Sequence, residues 1–188
     1  MTAHQNTLYI NFFDSIDPIK VNKFIQFTTD AIMQHNPTEL YFLIASNGGD
    51  VDSGFFLYNY LVSLQEKLTV VMHNTGTIDS IANVIFMGGQ KRYAAPNASF
   101  LFHGVSMNFS GPQSRTAIQE TLSRLDGMEN RIAKTISENS KLTEAELKIL
   151  FKQGEGKDVN FALDKEIVHE IKNPSIPHGS IHLAMIFV

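Results

Sequence analysis

A chain of 188 residues, 43% hydrophobic and 18% charged, holds enough apolar material for a folded core and too little charge for a disordered chain. Its 15 basic and 19 acidic residues leave a net charge of −4, which argues against a nucleic-acid binder that needs a basic face. The absence of cysteine excludes disulfides, cysteine-ligated zinc, iron–sulfur clusters and thiol catalysis. No run approaches the roughly 18 consecutive apolar residues of a membrane-spanning helix. The polar start, Met1 to Asn6, lacks the charged and then apolar pattern of a secretory signal. The expectation is a soluble, cytoplasmic, single domain over residues 1–188, with residues 174–188 as a C-terminal tail.

Thr7 to Phe13 reads as a strand, and Asp17-Pro18 as the capped start of a helix that His35-Asn36-Pro37 ends. Leu40 to Ala45 is a short continuous apolar run, the mark of a strand buried on both faces. The turn Ser46 to Asp50 leads into a helix with Phe55, Phe56, Leu57, Leu61 and Leu64 as core residues. Leu68 to Met72 is another buried strand, and Thr75 to Ser80 connects it to a short buried helix, Ile81 to Met87, closed by Gly88-Gly89. Lys91 to Ala94 and Ser99 to His103 read as strands around Pro96-Asn97, and Gly104 to Gln113 as a loop.

The clearest helix spans Ser114 to Asn139, where Ile118, Leu122, Leu125, Met128, Ile132 and Ile136 recur every three or four residues. Thr143 and Glu146 form a capping box for the next helix. Lys152 to Lys157 is a polar glycine loop, Asp158 starts a last helix running to Ile171, and Ile181 to Val188 ends the chain as a strand. This alternation predicts an α/β domain with a mainly parallel sheet.

Two turns follow buried strands and lead into helices: Asn47-Gly48-Gly49 and Gly76 to Ser80. In α/β folds sites collect there, because glycine frees backbone N–H groups and helix starts add unpaired donors. Ser80 at a helix start and His103 at a strand end, each unremarkable alone, together supply the groups of a serine nucleophile and its base. His4, His35, His169, His178 and His182 lack metal-ligand spacing, so no metal and no cofactor is expected, and Gly48-Gly49 lacks the dinucleotide-binding pattern.

The order and spacing of these motifs resemble the Clp protease proteolytic subunit (ClpP) family, within the wider ClpP/crotonase superfamily. The resemblance is carried by Leu43 to Val51, Gly54 to Tyr58, Gly76 to Ala82, Lys91 to Asn97, His103, the Ser114 to Asn139 helix and Ala162 to Ile171. It implies repeated β-β-α units with a mainly parallel sheet and a long interface helix. It implies a serine peptidase that assembles into a ring or stacked rings and acts on peptides or unfolded protein, with Ser80 as nucleophile and His103 as general base. It also implies an oxyanion hole made by the N–H groups of Gly49 and Ile81.

Three departures qualify the match. The family's acidic triad residue falls at Gly154, with Glu155 and Asp158 nearby. Asp158 reads as a helix cap, which favours a Ser–His dyad or another group orienting the imidazole. Asp79 stands just before the nucleophile, either opposing the oxyanion or capping the helix and pointing away. Relatives carry a longer segment before the first strand, which leaves a Clp-type ATPase partner open. The rival readings are a non-catalytic structural or regulatory subunit of the same fold and crotonase-type acyl-CoA chemistry; the latter would need a pocket-facing acid or base and a nucleotide surface.

Overall fold

The computed structural model describes residues 6–185. Met1 to Gln5, with His4, and the last three positions of the expected terminal strand lie outside the described residues. The elements are β1 (Thr7–Phe13), α1 (Pro18–His35), β2 (Glu39–Ser46), α2 (Val51–Leu64), β3 (Thr69–Asp79), α3 (Ala82–Met87), β4 (Lys91–Ala94) and β5 (Ser99–Leu101). They continue with α4 (Arg115–Ser137), α5 (Glu144–Gln153), β6 (Gly156–Asp158), α6 (Val159–Asp164), β7 (Glu170–Ile171) and β8 (Ile181–Ala184). Among the described residues no helix is long and apolar enough to cross a membrane, and no group of three or more His, Asp or Glu could hold a metal ion.

The strands form one mixed sheet in the order β6-β5-β3-β2-β1-β8, with β4 also on β3 and β7 on β4. Every pairing is parallel except β5 with β6. The α/β class with a mainly parallel sheet expected from the sequence is what the chain adopts. The continuous apolar run of β2 is explained by its place between β1 and β3, where Leu40, Phe42 and Ile44 are buried. Local signals act as read: Asp17 accepts the Lys20 N–H at 2.9 Å, Asn36 ends α1 in the left-handed conformation, and Thr143 and Glu146 complete their capping box.

Strand β3 departs from the sequence reading. Thr75 to Asp79 continues the strand, so β3 has 11 residues and its outer edge is shared. Val71 to Asn74 pair with β4, whereas Thr77 to Asp79 pair with β5. Buried Asn74 holds the junction: its carbonyl accepts the Ala95 N–H at 2.8 Å, its Nδ2 donates to the Ser99 carbonyl at 2.9 Å, and its Oδ1 accepts the Gly76 N–H at 3.0 Å.

The last helix is also shorter than its apolar spacing predicts. It stops at Asp164, Glu166 turns with φ 53°, and Ile167 and Val168 are buried in a loop before β7. Buried Arg92 accounts for this path. Its guanidinium donates to the carbonyls of Ile167 at 2.8 Å, Glu166 at 3.0 Å, Asn139 at 2.7 Å and Gly89 at 3.0 Å. The glycine loop after α5 contains β6, which lies antiparallel on β5. One core assignment fails, since Phe56 is 58% exposed; on the apolar face of α4, Ile118 and Leu122 are 44% and 56% exposed. Only the second half of α4 packs on the body, through Ile132, Ala133 and Ile136.

Fully buried His73 on β3 has both ring nitrogens engaged. One, Nε2, lies 2.9 Å from the Lys172 carbonyl and must donate to it, so Nδ1 accepts from the Tyr41 hydroxyl at 2.7 Å. Burial, as the largest cause, lowers its pKa below the ordinary value. The unfolded chain therefore takes up this proton first, so the stability His73 contributes is present above the unfolded pKa of roughly 6.5 and lost as pH falls below it. The urea midpoint is expected to drop between pH 7.5 and 5.5, and to drop less in His73→Gln, which keeps a donor and an acceptor without a titratable ring. Equal drops in the two proteins would contradict this assignment.

Candidate active site

Strand β3 delivers Ser80. Asp79 pairs with Leu101 of β5, and the Ser80 N–H donates to the Leu101 carbonyl at 3.0 Å. The chain then reverses into α3, whose residues Ala82 to Met87 are all buried. This reversal puts Ser80 at φ 57°, the left-handed region that serine avoids at a cost of about 1–2 kcal/mol. Ser80 is thus not a helix N-cap; it stands on a strained strand-to-helix elbow, an arrangement that α/β hydrolases use to present a nucleophile.

Buried Asn83 secures the elbow. Its Nδ2 donates to the Ser80 carbonyl at 3.0 Å and to the Leu101 carbonyl at 2.9 Å, tying the turn to β5. The sequence reading missed this residue, although an asparagine inside an otherwise apolar buried helix was the available signal.

Of the two alternatives for Asp79, the helix cap does not form. Asp79 ends β3, no side chain caps α3, and the Thr77 hydroxyl donates to the Asp79 carboxylate.

The Asn47-Gly48-Gly49 turn leans against this elbow. A Cβ on Gly48, where φ is +82°, would lie 2.7 Å from the Asp79 carbonyl and from Ser80 Cβ, and 3.3 Å from the Ile81 nitrogen. A Cβ on Gly49, where φ is +150°, would lie 2.0 Å from the Ile16 carbonyl oxygen. Glycine is required at both positions by contact and by backbone conformation. Ile16 clamps the turn, donating to the Gly48 carbonyl and accepting from Asp50, each at 2.8 Å. Among the described residues, the N–H groups of Gly49 and Ile81 have no protein acceptor.

His103 follows β5 by two residues, so the pairing of β5 with β3 brings it beside Ser80. Ser80, His103 and Gly49 line one cavity of about 370 Å³, closed on other sides by Val51, Val105 and Met128. His103 Nδ1 lies 2.8 Å from the Gly104 carbonyl oxygen and must donate to it. That leaves Nε2 with a free lone pair. Among the described residues no hydrogen bond joins Ser80 Oγ to His103, and no carboxylate bonds the imidazole directly.

The acids weighed near the expected triad position are engaged elsewhere. Gly154 is the left-handed cap of α5. Asp158 caps α6 by accepting the Phe161 N–H at 2.9 Å, which is the main cause of its lowered pKa. Glu155 pairs with Lys157 at 3.3 Å.

A family model described as Clp protease matches residues 7–173. Among curated proteins, the ATP-dependent Clp protease proteolytic subunit 2 of Treponema denticola is 29% identical over 103 residues, covering 54% of this chain and 50% of that protein. The subunit of the same name from Borreliella burgdorferi is 31% identical over 74 residues, covering 38% of this chain and 36% of that protein. The chain aligns with half or less of the length of these curated relatives.

Two substitutions test the elbow. Ser80→Gly removes the left-handed penalty and is expected to raise stability by about 1 kcal/mol in chemical denaturation. Gly49→Ala forces a methyl group into the Ile16 carbonyl and is expected to cost about 3 kcal/mol or more. A destabilised Ser80→Gly, or a Gly49→Ala of unchanged stability, would contradict the geometry.

Proposed function

Because the chain belongs to the Clp protease family, we propose that it is a serine peptidase in which Ser80 is the nucleophile and His103 the general base. The observation that carries this reading is a strained serine and a histidine lining one cavity beside two unpaired main-chain N–H groups. In the proposed reaction Ser80 Oγ attacks a peptide carbonyl while its proton passes to His103 Nε2, which is free because Nδ1 donates to Gly104. The carbonyl oxygen becomes an anion received by the N–H groups of Gly49 and Ile81, donors that are in place before the charge develops. The tetrahedral species collapses as His103 gives its proton to the leaving amine. Water, deprotonated by the same imidazole, then releases the acyl group from Ser80.

The proposal includes self-assembly into a ring enclosing the sites, with peptides or unfolded protein as substrate. Its support is the first half of α4, where Ile118 and Leu122 repeat at four-residue spacing yet face solvent in the single chain. The rival reading, a structural or regulatory subunit of the same fold, is favoured by the lack of a direct Ser80–His103 bond and of a carboxylate on the imidazole.

Labelling with a fluorophosphonate separates the two. The adduct is expected on Ser80 of the assembled protein, to vanish in Ser80→Ala and to fall at least a hundredfold in rate in His103→Ala, with assembled mass unchanged in size-exclusion chromatography. An assembled protein that hydrolyses no peptide and takes no label on Ser80 across pH 6–9 would favour the structural reading.

A further inference from the structure

We infer that Glu129 is the positioning residue of this site and acts on His103 through the Gly104–Val105 peptide group. This rests on the reading of Ser80 and His103 as nucleophile and base. His103 Nδ1–H donates to the Gly104 carbonyl at 2.8 Å, and the Val105 N–H donates to Glu129 Oε1 at 3.0 Å. That carbonyl and that N–H belong to one planar, resonance-coupled unit. Drawing the N–H toward a carboxylate places more negative charge on the carbonyl oxygen, which makes it a better acceptor for the imidazole. A carboxylate on α4 thereby does at one remove what a triad acid does in contact. It holds the Nδ1–H tautomer, keeps the Nε2 lone pair available to Ser80, and provides a counter-charge when the imidazolium forms.

The surrounding residues are built to permit this. Half-buried Glu129 lies one residue from Met128, which lines the cavity. A Cβ on Gly104 would stand 2.7 Å from Glu129 Oε1, so glycine at 104 is what lets the carboxylate approach the loop. The Gly104 N–H, part of the preceding His103–Gly104 peptide, is held by the Phe151 carbonyl of α5 at 3.0 Å, which anchors the chain just before the Gly104–Val105 unit. The role expected after α5, at Gly154, is transferred to α4.

The test uses the full chain, ¹⁵N-labelled at histidine, in its assembled form. Glu129→Gln keeps an oxygen for the Val105 N–H and removes only the charge. In the parent protein the Nδ1–H proton of His103, assigned by its loss in His103→Gln, is expected at low field. In Glu129→Gln it moves upfield, and fluorophosphonate labelling of Ser80 slows by about tenfold, the scale that separates a charge-assisted from a neutral hydrogen bond. Gly104→Ala, which displaces the carboxylate without altering any charge, is expected to produce both changes. An unmoved Nδ1–H resonance in a folded Glu129→Gln protein overturns the inference. A resonance that moves in a protein whose Ser80 never labels supports the peptide-borne coupling and overturns the hydrolase reading instead.

Discussion

The outer edge of β3 is divided between two strands, and the geometry of the candidate site depends on that division. A strand edge offers one row of N–H and C=O groups, and here β4 takes the first part of the row and β5 the second. Asn74 sits at the changeover and satisfies the groups that the switch leaves unpaired. Because β5 occupies the end of β3, the residue after β3 and the residue two beyond β5 meet at one end of the sheet. Those residues are Ser80 and His103. The position of the pair is therefore a property of strand pairing, and no direct contact between the two side chains is needed to hold it.

The strain at Ser80 is held by packing on all sides. Buried α3 anchors the far end of the elbow, with Phe86 edge-on to Phe100 of β5 at 5.5 Å between ring centres. Asn83 bonds the elbow to β5, and the glycine turn clamped by Ile16 closes over it. Burying several large apolar side chains contributes roughly 1.5–3 kcal/mol each, ample to offset one left-handed serine. The return on that strain is a half-buried serine that lines the cavity near N–H groups that have no other partner among the described residues.

Much of this was legible in the sequence because its causes are local. Caps at Asp17 and Thr143, the unbroken apolar run of β2 and the glycine pair after it each follow from residues adjacent in the chain. The family resemblance assigned Ser80, His103, Gly49 and Ile81 to one site, and the three of these that line a cavity line the same one. What escaped has non-local causes. The continuation of β3 through Thr75 to Asp79 depends on β5, which lies 20 residues on in the chain. The early end of α6 is tied to carbonyls gathered by Arg92, more than 70 residues earlier. The apolar face of α4 was legible from its spacing, but not which part of it the body covers: its first half meets solvent in the single chain, because periodicity marks an apolar face without saying what covers it. Glu129 had no signature at all, since its partner is a main-chain N–H.

The account is tested most directly by a crystal structure of the assembled protein after reaction with a peptide boronic acid. It predicts a covalent bond from Ser80 Oγ to boron, one boronate oxygen within about 2.7–3.1 Å of the N–H groups of both Gly49 and Ile81, and His103 Nε2 facing the second oxygen. A boronate bonded elsewhere, or one on Ser80 whose oxygens point away from both N–H groups, would contradict it.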